Sequence, residues 1–306
     1  MEFELAIIGG GPAAYSAGIY AVRAGIKPII FEKEGGGGLA IFSPNIENYP
    51  GFESISGIDL MEKMKLHAQK YCEIKSYEQV NKIEKQDNYF SIETQKDNYK
   101  SKAIIICTGS EYKKLEIEGE KELQGKGVSY CATCDGFFFK NKKVAVIGGG
   151  NSALIEAIYL KQIGCNEVLL IHRRDQLRAE KAYEDEAIKN KINFLLNKKV
   201  IKINGKEKVE SIIVKDTKSQ EEKKIETVGV FVSIGEKPQN QIAKDMKIKL
   251  DEKGYIVIDS KQRTNIKGVY AAGDITGGLR QIVTACAEGA IAALSSTEVL
   301  GKKYPY

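Results

Sequence analysis

The chain has 306 residues, of which 42% are hydrophobic and 28% charged, and it carries a formal net charge of +5 at neutral pH. That length holds two domains with cores of their own, and the composition is that of an ordinary soluble protein, which excludes a disordered chain and a disulfide-stapled miniature. The positive charge is spread over many lysines rather than gathered in one arm, which argues against nucleic acid and suits an acidic protein partner.

Met1 to Leu5 runs straight into an apolar strand, with no basic leader, apolar signal core or cleavage site. No apolar stretch is expected to span a membrane, so the cytoplasm is the expected location. The strand ends at Ile8 and gives way to Gly9-Gly10-Gly11-Pro12-Ala13-Ala14, an amphipathic helix and a second strand over 28–32. Alternating β patterns predict strands over 78–85, 89–94 and 103–107, and Cys107-Thr108-Gly109-Ser110 marks the exit from this half. Next comes Cys131-Ala132-Thr133-Cys134-Asp135, and then the opening pattern recurs.

A shift of 139 residues sets Ala6 to Ala14 on Ala145-Val146-Ile147-Gly148-Gly149-Gly150-Asn151-Ser152-Ala153, Ile19-Tyr20 on Ile158-Tyr159, and Gly25 on Gly164. The second copy closes with a strand over 167–172. Strands over 200–204, 209–216 and 225–234 finish this half at Gly235-Glu236-Lys237-Pro238, with the mixed-charge run 218–224 expected as a solvated hairpin. Strands over 255–258 and 269–272, then Gly273-Asp274-Ile275-Thr276 and a helix over about 282–300, make a tail too small to be a domain.

Each copy reads as the βαβ dinucleotide unit. Gly9 and Gly148 make the tight turn, and Gly11 and Gly150 let the backbone approach a pyrophosphate at the helix N-terminus. Ala14 and Ala153 supply the small side chain that close helix and strand packing needs. One glycine triplet is weak evidence, but two with strand and helix context imply two nucleotide sites.

The second strands end differently. Glu32 accepts a hydrogen bond from a ribose hydroxyl and repels a 2′-phosphate, which assigns FAD to the first site. His172-Arg173-Arg174, with Arg178 one turn on, pairs with that phosphate and assigns NADPH to the second; otherwise these would be basic residues opposing a helix dipole. The fold expected is α/β, with two Rossmann-like, three-layer ββα domains, the second inserted in the first. Residues 1–113 and 241–306 would bind FAD and residues 114–240 would bind NADPH and carry the cysteine pair, with linkers near 110–116 and 236–241.

Of six cysteines, Cys72, Cys107, Cys165 and Cys286 stand alone and are expected as small buried hydrophobes. Cys131 and Cys134 suit neither a zinc site, which needs a second close pair, nor a structural disulfide in the cytoplasm, and a redox dithiol is favoured. Their spacing on one helical turn puts the α-carbons roughly 5 Å apart, inside the disulfide range. Asp135 could hold the proton a leaving thiolate requires, or it could cap a helix. In the tail, Asp274 after a strand suits a ribityl hydroxyl, and the helix start after Arg280-Gln281-Ile282 suits the charge of reduced flavin.

Together these motifs, with Glu47-Asn48-Tyr49-Pro50-Gly51, Gly136-Phe137-Phe138 and Arg178-Ala179-Glu180, closely resemble the low-molecular-weight thioredoxin reductases along the whole chain. The resemblance implies a homodimer that passes electrons from NADPH through FAD to the cysteine pair and on to thioredoxin. Cys134 would face the flavin, Cys131 would attack the substrate disulfide, Asp135 would act as acid and base, and Phe137 and Phe138 would dock thioredoxin.

The implied FAD contacts are Gly9, Gly11, Pro12, Ala13, Glu32, Gly38, Leu39, Asn48, Thr108, Gly109, Gly273, Asp274, Arg280, Gln281 and Ile282. Those for NADPH are Gly148, Gly150, Asn151, Ser152, Ala153, His172, Arg173, Arg174, Arg178 and Gly235, and no metal is implied. The family also implies that the NADPH domain rotates on its linkers. This chain departs at Gly35-Gly36-Gly37-Gly38-Leu39, where glutamine is usual, and at Gly277-Gly278, where an acid is common. Alternatives are a glutaredoxin-like or peroxidase-linked acceptor, or a redox-sensing binding module without turnover.

Overall fold

A computed structural model describes residues 2–43 and 45–304. Met1 of the expected leaderless start, Pro44, and the last two residues of the expected first domain lie outside the described residues. The first part of the chain forms β1 (Glu2–Ile8), α1 (Pro12–Arg23), β2 (Pro28–Glu32), α2 (Gly57–Gln69), β3 (Glu73–Ser76), β4 (Val80–Lys85), β5 (Phe90–Thr94), β6 (Asn98–Ile106) and β7 (Ser110–Tyr112). Then follow β8 (Val128–Ser129), α3 (Ala132–Asp135), β9 (Lys143–Ile147), α4 (Asn151–Gln162), β10 (Glu167–Ile171), α5 (Lys181–Lys189), β11 (Asn193–Leu195), β12 (Lys198–Asn204), β13 (Ser211–Asp216), β14 (Glu222–Glu226) and β15 (Gly229–Val232). The return brings β16 (Glu236–Pro238), α6 (Gln241–Asp245), β17 (Val269–Ala271), α7 (Ile282–Ser295) and α8 (Thr297–Leu300).

Two compact units result. The first comprises Met1–Ile41, Tyr49–Glu111 and Lys237–Tyr306, and the second Phe42–Asn48 and Tyr112–Glu236. No feature of the sequence had set residues 42–48 apart. The two connecting segments, β7 and β16, pair with each other.

In the first unit the sheet runs β3-β2-β1-β6-β5-β4. β1 pairs parallel with β2 and β6, and the second half of β6 also takes β17 in parallel, so the tail is stitched into the sheet. Alternation along β1 sends Leu5 and Ile7 into the core under α1 and α7, and Ala6 and Ile8 into the core shared with β4, β5 and α6. The sheet thus packs helices on one face and its own antiparallel β4–β5 end with α6 on the other. A side chain at Gly289 would run into the carbonyl of Ala13, so α7 crosses α1 at backbone contact.

The second unit repeats the plan with a parallel sheet β11-β10-β9-β15-β8 and an antiparallel sheet β12-β13-β14. Ala145 and Ile147 face the antiparallel sheet, and Val144 and Val146 face α4. The α/β class and the paired Rossmann-like plan are as expected.

Five element expectations need correction. The apolar run 225–234 is two strands in different sheets: the Thr227 hydroxyl donates to the carbonyls of Lys143 (3.1 Å) and Gly229 (3.0 Å) and turns the chain from β14 into β15. Residues 255–258 form no strand, only a lone bridge of Ile256 to Leu250. The strand expected from 78 starts at Val80, because Tyr77 sits at φ 56 and leaves the extended region. The tail helix breaks at Ser296, which separates α7 from α8. By length and composition Ile282–Leu300 could cross a membrane, contrary to expectation, but α7 buries Ala285, Gly289, Ala292 and Ala293 in the first unit. Residues 218–224 do lie in an exposed hairpin, made of the turn up to residue 221 and the first residues of β14.

Candidate active site

In each unit the residues of interest lie just past the carboxyl ends of parallel strands, where open α/β sheets place ligands. In the first unit these are the ends of β1, β2, β6 and β17. Gly9 donates to Phe31 O (2.8 Å), Cys107 to Ile8 O (2.8 Å) and Ala272 to Ile106 O (3.0 Å), so the four strand ends are laced together. Gly9 stands at φ 119 and a side chain there would strike the Cys107 carbonyl, so only glycine fits this turn.

Gly11 differs. Its backbone is extended, it caps α1 with no side-chain bond, and a Cβ there would meet nothing within 4 Å. Pro12 opens the helix without needing a donor partner. The first N–H groups of the helix have no intrahelical acceptor, and the space beside Gly11 is open, which suits a pyrophosphate.

Glu32 closes β2 and accepts from Glu34 N–H (2.8 Å). The loop after it turns back on the glycine turn: Gly37 donates to Gly10 O (2.6 Å), and Gly38 lies beside Gly11. Gly36, Gly37 and Gly38 have φ of 92, 99 and 60, and side chains at Gly36 and Gly37 would collide with Tyr15 and Ile41. The glycine run therefore has a backbone reason in this protein. Leu39 is the second residue of the 3-10 turn that begins at Gly38.

On the far strands, Gly109 is at φ 68, and the Thr108 hydroxyl donates to Gln239 O (2.7 Å). Gly273, at φ 82, packs on Ala13, which brings Asp274 beside the start of α1. The Gly273 N–H is held by the Glu288 carboxylate at 2.7 Å, and the Thr276 hydroxyl donates to the same oxygen at 3.3 Å. Burial raises the Glu288 pKa, and these two hydrogen bonds oppose the rise. Arg280 donates to Tyr255 Oη (3.3 Å), and Gln281 caps α7 in a capping box with Thr284, ahead of Ile282. Asn48 is the exception to this gathering, since it lies in the segment grouped with the second unit.

The second unit repeats the geometry. Gly148 donates to Ile171 O (3.1 Å), and a side chain there would strike Ser233 O, while Gly150 caps α4 with extended backbone and open space. Asn151 exchanges two hydrogen bonds with Glu180 (2.7 and 2.8 Å), Ser152 is exposed, Ala153 is buried against Gly148, and Gly235 is at φ 102. His172 lies beneath Gly149, and its Nε2 is buried with no hydrogen-bond partner among the described residues. Burial, then Arg178, Arg174 and Arg173, lower its pKa, so the ring is neutral. The three arginines are exposed around it, but they occupy the loop after β10, and the next helix begins only at Lys181. The helix-start placement is thus corrected, and the Arg178 N–H is instead fixed on Gly149 O at 2.7 Å.

Cys131 caps α3 and Cys134 lies within it, joined by a disulfide with α-carbons 5.3 Å apart. The carbonyl of Cys131 accepts from Cys134 N–H (3.2 Å) and Asp135 N–H (3.1 Å), which holds the turn closed. The Asp135 side chain is buried and caps nothing. Its oxygens accept from the hydroxyls of Ser129 (2.6 Å) and Ser43 (3.1 Å), and its pKa is raised by burial against the opposing pull of those hydroxyls. Phe137 is 59% exposed, Phe138 is half-buried, and Phe139 turns in against Phe231.

Sequence reasoning missed Ser129, Ser43 and Glu288. A serine two residues before a cysteine is a local hydrogen-bonding signal, whereas Ser43 acts across 92 residues and Glu288 reaches back 15 from a helix to a loop. Of the lone cysteines, Cys72, Cys107 and Cys165 are buried, and Cys286, expected to be buried, is only half so.

The family described as pyridine nucleotide-disulphide oxidoreductase matches residues 3–289. A thioredoxin reductase of Bacillus subtilis (strain 168) is 42% identical over 296 residues, 96% of this chain and 93% of that one. One from Treponema pallidum (strain Nichols) is 40% identical over 95% of each chain. The crystal structure of thioredoxin reductase from Streptococcus pyogenes MGAS5005 superposes with a TM-score of 0.93 at 39% identity, covering 98% of both chains. With two glycine turns at the mouths of two parallel sheets, a closed cysteine pair in the second unit, and likeness of this extent, the chain belongs to the pyridine nucleotide-disulphide oxidoreductase family.

Proposed function

We propose that this protein is a thioredoxin-disulfide reductase fed by NADPH, with FAD seated at the Gly9-Gly10-Gly11 turn and NADPH at Gly148-Gly149-Gly150. Residues 1–113 and 241–306 form the FAD domain and 114–240 the NADPH domain. The observation that carries this reading is the Cys131–Cys134 disulfide, closed across one helical turn beside buried Asp135. The open space at Gly11 and Gly150 supports the cofactor pair, and the arginines around His172 support a 2′-phosphate.

When bound, the cofactors supply two electrons as a hydride for opening that disulfide. Cys134 would be the sulfur that receives the electron pair from the flavin, and Cys131 would be the attacking sulfur. The Cys131 thiolate bonds to one sulfur of the substrate disulfide as the S–S bond breaks, and Asp135 gives its proton to the departing thiolate. Cys134 then returns a proton to Asp135 and attacks Cys131, which restores the internal disulfide and releases a second thiolate that is protonated from solvent. Two electrons leave the pair and two substrate thiols form. Exposed Phe137, with Phe138 beside it, offers an apolar contact for thioredoxin. A cytoplasmic homodimer completes the proposal.

Anaerobic NADPH is expected to bleach the flavin of the wild type and of Cys134→Ser alike. That variant should lose thioredoxin reduction by about a hundredfold or more, because the mixed disulfide can no longer resolve. A flavin left coloured by NADPH, or undiminished turnover by the variant, would overturn the reading.

A further inference from the structure

We infer that Ser129 and Ser43 are positioning residues that partner the Asp135 side chain in both its charged and its neutral form, the charged form more strongly, so that it can lose and regain a proton without moving. The inference rests on the disulfide reductase reading above and deepens it.

Ser129 closes β8, two residues ahead of Cys131. Its oxygen accepts the Cys131 N–H at 3.1 Å. Its hydroxyl has two acceptors within reach, Asp135 Oδ2 at 2.6 Å and the Cys131 carbonyl at 3.3 Å. Ser43 repeats the arrangement on the other carboxyl oxygen, with Asp135 Oδ1 at 3.1 Å and the Asn45 carbonyl at 3.2 Å.

A hydroxyl carries one proton and two acceptor lone pairs. With Asp135 charged, both serines donate to the carboxylate. With Asp135 protonated, its own O–H donates to one serine oxygen, and that serine turns its proton to the carbonyl behind it. Both states keep their polar atoms satisfied, and only a hydroxyl hydrogen rotates. A backbone N–H in the same place would favour the charged form alone.

The site needs such a partner because the carboxyl is buried. Burial raises its pKa and the two hydroxyls oppose the rise; among the described residues no charged side chain contributes. Cys131 and Cys134 share its turn, so the hydroxyls are what can match the carboxyl to either state. The Ser129 oxygen also grips the Cys131 N–H, which ties the acid to the backbone of the attacking residue.

The test reduces the full chain with dithiothreitol and follows alkylation of the cysteine pair by iodoacetamide against pH. Ionisation of Asp135 enters as an inflection that Asp135→Asn removes. Ser129→Ala deprives the carboxylate of a charge-assisted donor and the acid of only a weaker neutral partner, so the inflection moves up by about one pH unit. Ser43→Ala moves it the same way, and Ser129→Thr, which keeps the hydroxyl, leaves it in place.

An inflection unmoved in both alanine variants, moved equally in Ser129→Thr, or absent from the wild type overturns the inference. The assay uses neither nicotinamide nor thioredoxin. Turnover with NADPH and thioredoxin, run in parallel, tests the parent reading on its own.

Discussion

One methyl group separates two jobs that glycine does in the same turn. At Gly9 it would sit at φ 119 against the Cys107 carbonyl, whereas at Gly11 it would enter open space on extended backbone. Gly9→Ala is therefore expected to destabilise the ligand-free protein by about 2–4 kcal/mol. Gly11→Ala should leave that stability nearly unchanged and yet lose bound flavin. Thermal unfolding of the stripped chain, together with flavin content after reconstitution, measures both. Equal stability losses would mean that Gly11 serves packing rather than a ligand. The motif made both glycines visible in the sequence, but not the difference between them, because the Cys107 carbonyl arrives from a strand far along the chain. A similar distance along the chain hid Ser43.

The repeated βαβ element is the part most legible in sequence, since strand, turn and helix recur at one offset and α1 and α4 obey it residue for residue. The ends of its second strands carry the specificity. Glu32 ends one, while exposed arginines surround a neutral His172 past the other. Replacing Arg173 and Arg174 with glutamine is expected to weaken NADPH by roughly thirtyfold to a hundredfold, the loss of about 2–3 kcal/mol in charge-assisted bonds, with NADH little changed. Binding titrations with both nucleotides decide, and equal losses would remove the phosphate assignment. Periodicity failed where neighbouring strands belong to different sheets. The run 225–234 is apolar throughout, and nothing local says that Thr227 switches partners. Residues 255–258 carry the pattern of a strand with no neighbour to pair along it.

At the scale of the molecule, two units each hold an apolar core on both faces of a parallel sheet. A ligand that binds only the folded form stabilises the unit that holds it. FAD is expected to slow amide exchange chiefly in β1, β6, β17 and the start of α1, and NADP⁺ chiefly in β9, β15 and the start of α4. Exchange mapped by mass spectrometry would show protection in the opposite units if the cofactor assignment were reversed. That the tail rejoins the first sheet was legible from its shortness, whereas the grouping of residues 42–48 with the second unit was not, because it depends on contacts rather than pattern.

The solitary cysteines complete the picture. Burial lifts the thiols of Cys72 and Cys165 to about 11 and raises those of Cys107 and Cys286 as well. At neutral pH about one in ten thousand of the Cys72 or Cys165 side chains is ionised. A chain built to hand electron pairs between sulfurs thus keeps its bystander sulfurs inert, and the surrounding apolar wall works as insulation around the conductor.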